Sequence, residues 1–300
     1  MSSSSGSLRP AQMPNQREMT LSVRQALALA SSLASVSESP DLDVQLLLAQ
    51  VLGKGRSYLF AHPDRILPAL QQSEFQRLMD RRQKGEPMAY IRGRKEFWSI
   101  ELGVSPDVLI PRPESEVLVE SALSLFSHRP IEVAELGTGS GAIAIALASE
   151  RPNWSILASD TSKAALLVAQ ANIARIFNGK SNIHLVLADW CQPMRQRCFD
   201  LIVSNPPYIR PSDPLLQGPP LVFEPTGALI AESDGLEDIG KIIKAARICL
   251  KPGGWLILEH GSDQSQMVYD NLTVAGYRRI ESKEDLGDHN RAIAAQIPNL

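Results

Sequence analysis

The chain is predicted to fold as an α/β protein, a doubly wound and mainly parallel sheet preceded by a small helical bundle. Two observations carry this expectation. From residue 131 onward, short and nearly continuous apolar runs alternate with longer helical stretches, the pattern of parallel strands covered on both faces. Before that, between residues 20 and 83, apolar residues recur at helical spacing. Three hundred residues with 44% hydrophobic content suffice for one large domain or two.

Residues 1–18 are rich in Ser, Gln and Pro and lack both periodicity and an apolar leader core, so a disordered tail is expected there. Residues 19–85 read as a helical bundle. Val23, Ala26, Leu27, Ala30 and Leu33 share one helical face, Val44, Leu47, Leu48 and Val51 a second, and Leu70, Phe75, Leu78 and Met79 a third. Ser39-Pro40-Asp41 opens the second helix and Gly53 closes it. Residues 86–113 change to period two, with Trp98, Ile100 and Leu102 apolar between Gly93 and Gly103, which predicts a hairpin linker. Residues 114–300 form the alternating domain. Its strands are expected at 131–136, 155–159, 183–187, 199–203, 255–258, 278–281 and 292–296, with helices at 142–149 and 164–176.

Charge and composition remove several function classes. Thirty basic and 33 acidic side chains leave a net charge of −3, with no global footprint for duplex nucleic acid. Cys191, Cys198 and Cys249 form no C-x-x-C pair and read as buried reduced thiols of a cytoplasmic protein. The five histidines show no i, i+4 pair, so no metal site is expected. No apolar run approaches the length that spans a bilayer, so no membrane partner is expected.

The chemistry concentrates at four strand ends. Asn205-Pro206-Pro207-Tyr208 follows the run 199–203 directly. Two prolines cannot donate to a ladder, so the strand stops there and leaves acceptors free. The Asn205 side-chain oxygen and the Pro206 carbonyl can each take one N–H of a planar NH₂, with the Tyr208 ring against it. A proline turn with a capping Asn is the other reading of these four residues. Gly137-Thr138-Gly139-Ser140-Gly141 follows the first strand and opens an Ala-rich helix, a site where a ligand approaches bare backbone. Asp160 ends the second strand, placed to accept from both hydroxyls of a ribose or to cap the next helix. Asp189-Trp190 ends the third and offers an acceptor for an exocyclic amine and an aromatic face for a base. A nicotinamide enzyme shares the first two features but has no use for an amide receptor at the fourth strand. S-adenosylmethionine, leaving as S-adenosylhomocysteine, fits all four.

The residues so assembled resemble the class I methyltransferases and, within them, the PrmC/HemK family. The marks are Arg82 with Gly85-Glu86-Pro87-Met88-Ala89-Tyr90-Ile91, Glu96-Phe97-Trp98, the run from Val108 to Glu116 containing Pro111-Arg112-Pro113-Glu114, Gly137 to Gly141, Asn205 to Tyr208, Phe223-Glu224-Pro225 and Leu258-Glu259-His260-Gly261. Ser115 and Ser140 stand where many relatives carry Thr, and both keep the hydroxyl. The resemblance implies a Rossmann-like seven-stranded sheet whose last strand is antiparallel, and an N-terminal helical domain that docks a class 1 peptide chain release factor. It also implies methyl transfer to the side-chain amide nitrogen of a release-factor glutamine. Gly137, Thr138, Gly139, Ser140, Gly141, Asp160, Asp189, Trp190 and Asn205 should then bind the cofactor. Asn205, Pro206, Pro207 and Tyr208 should grip the glutamine, with Asn205, Pro206 and Tyr208 catalytic, and 111–114 should cover the cofactor. His184 and His260 are treated as structural. The proline-rich segment 209–233 is expected to form a lid or a protein-contacting loop. A monomer with no direct nucleic-acid contact is expected. Methylation of a ribosomal-protein glutamine, methylation of a nucleic-acid exocyclic amine, and a non-catalytic adaptor are the alternatives.

Overall fold

A computed structural model describes residues 20–192, 194–232, 234–285 and 287–299. The tail expected at 1–18 lies outside the described residues. The chain divides into two compact units, one ending at Lys84 and one beginning at Gly85.

The smaller unit is helical. Helix α1 (Val23–Leu27) begins on a capping box, Ser22 accepting from the Gln25 backbone while the Gln25 side chain takes the Ser22 N–H, and runs on as a 3₁₀ turn, Ala28–Leu33. Helix α2 (Pro40–Leu52) has Pro40 in its first turn and ends at Gly53 in the left-handed region, as the punctuation predicts. Helices α3 (Arg56–Ala61) and α4 (Ala69–Gln83) complete the unit. Its core is Val23, Leu33, Val44, Leu47, Leu48, Phe75 and Leu78, all buried. Arg82 of α4 pairs with Asp43 of α2 at 2.7 Å and donates to the Val36 carbonyl at 2.8 Å, so its charge is neutralised where it is largely buried.

The larger unit opens with α5 (Met88–Arg92) and a hairpin of β1 (Arg94–Phe97) and β2 (Ile100–Gly103). Trp98, expected on one strand face with Ile100 and Leu102, lies in the turn instead: Trp98 and Ser99 both have positive φ, 53° and 56°. The hairpin is bound to the larger unit. Trp98 donates from its backbone to Glu116 and from its indole to Glu150, both at 2.8 Å. Buried Asn172 accepts from the Gly103 N–H at 2.7 Å and donates to the carbonyls of Gly103 and Ser140 at 2.9 Å. An unmet amide there would cost about 1–3 kcal/mol.

The remaining elements are α6 (Glu116–Leu125), β3 (Glu132–Leu136), α7 (Ala142–Glu150), β4 (Ser155–Asp160), α8 (Lys163–Phe177), β5 (Ile183–Leu187), β6 (Phe199–Ser204), α9 (Glu237–Cys249), β7 (Leu250–Glu259), α10 (Ser265–Val274), β8 (Arg278–Glu284) and β9 (Asn290–Gln296). The seven strands from β3 onward lie in the order β5-β4-β3-β6-β7-β9-β8. The first five are parallel, and β9 runs antiparallel to both β7 and β8, as the resemblance implied. Strand β7 starts five residues before the expected 255. Its early residues Lys251-Pro252-Gly253-Gly254 have the composition of a loop, and Gly253 takes a left-handed φ of 75°, where the ladder with β6 shifts register between Phe199 and Leu201. Apolar side chains of α6, α7 and the hairpin cover one sheet face, and those of α9 and α10 the other. The order reverses between β3 and β6, where doubly wound sheets open a crevice at their carboxyl edge.

Candidate active site

Two cavities open at that crevice, of about 340 and 400 Å³. The first is lined at the strand ends by Gly137, Gly139, Asp160, Asp189 and Trp190. The glycine loop is anchored from below: the N–H groups of Gly137 and Thr138 both donate to the Ser159 carbonyl, at 2.9 and 2.8 Å. Gly137 has φ 74°, a conformation that strains any residue with a side chain, although a Cβ there would meet the Trp190 ring only at an ordinary contact distance of 3.5 Å. Gly141 has φ 83°, and its missing Cβ would press on Ala169 and Ile145 at 3.3 Å. Thr138, Ser140 and Gly141 do not line the cavity. Thr138 donates its hydroxyl to Glu135 at 2.6 Å, and the Ser140 carbonyl is held by Asn172. Glu135, a residue the sequence reading passed over, is buried beneath the loop and also accepts from the Ala144 N–H at 3.2 Å; burial pushes its carboxyl up to about 8.

Asp160 does not cap α8; Ser162 does, accepting from the Ala165 N–H at 3.1 Å. Asp160 instead ties the glycine loop to its own strand end, accepting from Gly139 at 2.9 Å and Ser162 at 2.8 Å. Each oxygen so engaged can accept a further hydrogen bond, and Asp160 lines the cavity. Trp190, with φ 49°, is half-buried, and Asp189 is exposed. Acceptors for hydroxyls, an aromatic face and bare backbone meet in one cavity, so these residues fit S-adenosylmethionine.

Asn205, Pro206 and Tyr208 line the second cavity, together with Arg112, Glu259 and Arg291. Pro207, expected beside them on the substrate side, lines the first cavity instead. Asn205, Leu109 and Ala228 line both. The Asn205 amide donates to Ser115 Oγ at 3.0 Å, leaving its carbonyl oxygen for a ligand. Among the described residues no donor serves the Pro206 carbonyl. Tyr208 is held at both ends: its hydroxyl donates to Glu259 Oε1 at 3.1 Å, and its carbonyl accepts from Gln264 at 3.0 Å. Glu259 is buried, which raises its pKa, and the Ser115 and Tyr208 hydroxyls pull it back to about 7.

Residues 111–114 were expected over the cofactor. Arg112 and Glu114 face the second cavity, and Asp107, Val108 and Leu109 contribute to the first. Buried Glu224 binds this segment, pairing with Arg112 and accepting from the Ile110 N–H at 3.0 Å. The segment after Tyr208 is not structureless: it bridges at Ile209 and Ile230, turns through Pro214–Gln217, Leu221–Phe223 and Thr226–Ala228, and walls both cavities. Ser233 lies outside the described residues. His184 is exposed, whereas His260 is fully buried with its pKa lowered mainly by desolvation and Nδ1 against the Gly261 carbonyl at 2.9 Å. Cys191 and Cys249 are buried free thiols and Cys198 is half-buried. Among the described residues no three His, Cys, Asp or Glu gather as a metal site requires, and no helix is long and apolar enough to cross a membrane.

The chain is similar to known proteins along most of its length. A family model of the PrmC N-terminal domain matches residues 25–93, and a model of the methyltransferase small domain matches residues 114–216. The release factor glutamine methyltransferase of Coxiella burnetii is 46% identical over 278 residues, 92% of this chain and 99% of that protein. The Escherichia coli protein of the same name is 44% identical over 262 residues, 87% of this chain and 94% of its own. Among solved structures, a methyltransferase from Pyrococcus furiosus shares the fold with a TM-score of 0.50 at 19% identity, over 75% of this chain and 99% of that one. With relatives this similar along almost their whole length, the chain belongs to the release factor glutamine methyltransferase family.

Proposed function

We propose that this protein methylates the side-chain amide nitrogen (N5) of the glutamine in the Gly-Gly-Gln motif of class 1 peptide chain release factors, in the cytoplasm where those factors work. One observation carries the reading: Asn205 lines both cavities with its NH₂ engaged by Ser115, so that a carbonyl oxygen faces the junction between them. Gly137 and Gly139 would hold the methionine portion of S-adenosylmethionine, Asp160 its ribose, and Asp189 with Trp190 its adenine. When bound, the cofactor supplies an electrophilic methyl group on a sulfonium.

The chain's own residues have to overcome the resonance that makes an amide nitrogen a poor nucleophile. The Asn205 oxygen and the Pro206 carbonyl accept the two N–H groups, orienting the nitrogen and enriching its electron density by fixed dipoles. No side chain need take the proton beforehand. Burial keeps His260 neutral, with no place in the second cavity's lining. Pro220 and Leu221 give the second cavity an apolar wall. The helical unit up to Lys84 would dock the release factor; its apolar Phe60 and Leu70, 60% and 87% exposed, suit contact with a protein.

The test offers labelled S-adenosylmethionine with intact release factor, the same factor with its Gly-Gly-Gln glutamine replaced, ribosomal protein, and DNA. Label should enter the intact factor alone, and Asn205→Ala should abolish transfer while leaving the melting temperature near wild type. Transfer to DNA, or transfer indifferent to the glutamine, defeats the proposal.

A further inference from the structure

Strands β6 and β7 are parallel neighbours with Ser204 opposite Leu258, so the next residue of each, Asn205 and Glu259, stand side by side at the sheet edge. Ser115, just ahead of α6, accepts from the Asn205 amide at 3.0 Å, and its hydroxyl stabilises the charged form of Glu259. Both Ser115 and Glu259 are buried, at 4% and 1% exposure. Glu259 Oε1 has the Tyr208 hydroxyl, but Oε2 is buried with no hydrogen-bond partner among the described residues.

A carboxylate can only accept. Ser115, already accepting from Asn205, has one proton left to give, and the orphaned Oε2 is the acceptor that wants it. Donation then runs one way, from the Asn205 NH₂ to Ser115 and from Ser115 to Glu259. The reverse arrangement, with the Asn205 oxygen on Ser115 and its NH₂ in the cavity, would set donor against donor when a substrate NH₂ arrives.

We propose that Glu259 and Ser115 are positioning residues for the methyl transfer, a relay that orients the Asn205 amide with its oxygen toward the substrate. The proposal rests on Asn205 being the amide receptor. The relay has its direction only while Glu259 is ionised, since a protonated Glu259 can donate to Ser115 and allow the amide to reverse. Tyr208, Glu114 of the 113–115 turn, Arg291 of β9, the adjoining His260 and Arg112, which lines the same cavity, are the titratable and charged groups around it among the described residues, and Asp285 takes the Arg291 guanidinium at 3.1 Å. Arg291 favours the ionised form and Glu114 opposes it.

The experiment measures kcat and KM for release factor and for S-adenosylmethionine, melting temperature, and the pH profile of kcat, in Ser115→Ala, Ser115→Thr, Glu259→Gln and Asn205→Ala. Glu259→Gln keeps the shape but adds a donor, so kcat should fall about tenfold or more with cofactor KM unchanged. Ser115→Ala should fall similarly, and Ser115→Thr should keep the wild-type rate. The wild-type kcat should decline on the acid side near pH 7, and Glu259→Gln should lose that limb. An inactive Asn205→Ala beside wild-type rates in Ser115→Ala and Glu259→Gln overturns the relay alone. So do losses matched by a lower melting temperature and a raised cofactor KM. An active Asn205→Ala removes the receptor, and the relay with it.

Discussion

Replacing Glu224 with alanine should loosen both cavities at once. The Glu224 side chain has no exposed surface; it holds Arg112 by an ion pair and Ile110 by its N–H. Breaking a buried pair by removing one partner costs about 3–5 kcal/mol. Arg112, 30% exposed, can turn toward water and recover part of that, whereas the Ile110 N–H left buried adds about 1–3 kcal/mol. A net loss of about 3–4 kcal/mol is expected, which for a unit the size of Gly85–Leu300 lowers the melting temperature by about 10 °C. Leu109 on one side of this clasp and Ala228 on the other line both cavities, so KM should rise for cofactor and release factor together. Calorimetric melting and titration with S-adenosylhomocysteine read the two effects separately. A Glu224→Ala protein within about 1 kcal/mol of wild type and with both KM values unchanged would refute the clasp and leave packing as what holds the segments.

Glu135 should impose a pH dependence on stability. Its folded pKa of about 8 lies above the unfolded 4.5, so the folded state keeps a proton that the unfolded state has lost, and stability falls as pH rises between those values and levels off above 8. The advantage of Glu135→Gln over wild type should therefore grow from pH 5 to pH 9 in denaturant titrations; a constant difference would mean that Glu135 is not held protonated. Asp160→Asn can accept only one of the Gly139 and Ser162 N–H groups and meets the other with a donor, a loss of about 1–3 kcal/mol. Cofactor affinity should fall about tenfold or more with the release-factor KM unmoved; an unchanged cofactor isotherm would separate Asp160 from the ribose.

The strand-helix alternation was legible because parallel strands covered on both faces are apolar through their centres, as Val133-Ala134 of β3, Ile156–Ala158 of β4 and Leu201–Val203 of β6 are. The Trp98-Ser99 turn was not, since both residues take positive φ without the Asn or Gly that usually announces it. The four strand-end motifs are local in sequence and could be read singly. Ser115, Glu224 and Glu259 could be quoted as motif members but given no role, because their partners, Asn205, Arg112 and Tyr208, come from segments brought together by the strand order. Asn205 beside Glu259 follows from β6 adjoining β7; Ser115 against both depends on where α6 starts, which no periodicity encodes. The side of the crevice that Pro207 takes was likewise hidden, since the motif's four residues part between the two cavities only in the folded chain.

The wall common to the two cavities divides this surface into residues free to vary and residues that are not. A change at Leu109, Asn205 or Ala228 alters both cavities, so, with the ligands proposed above, it should not improve the fit to one without disturbing the other. Arg112 lines only the second cavity but is bound into the Glu224 clasp, whereas Pro220, Leu221 and Leu229 touch that cavity alone. Redesign toward a different glutamine-bearing protein has its room there, and the partition is where it must leave the chain untouched.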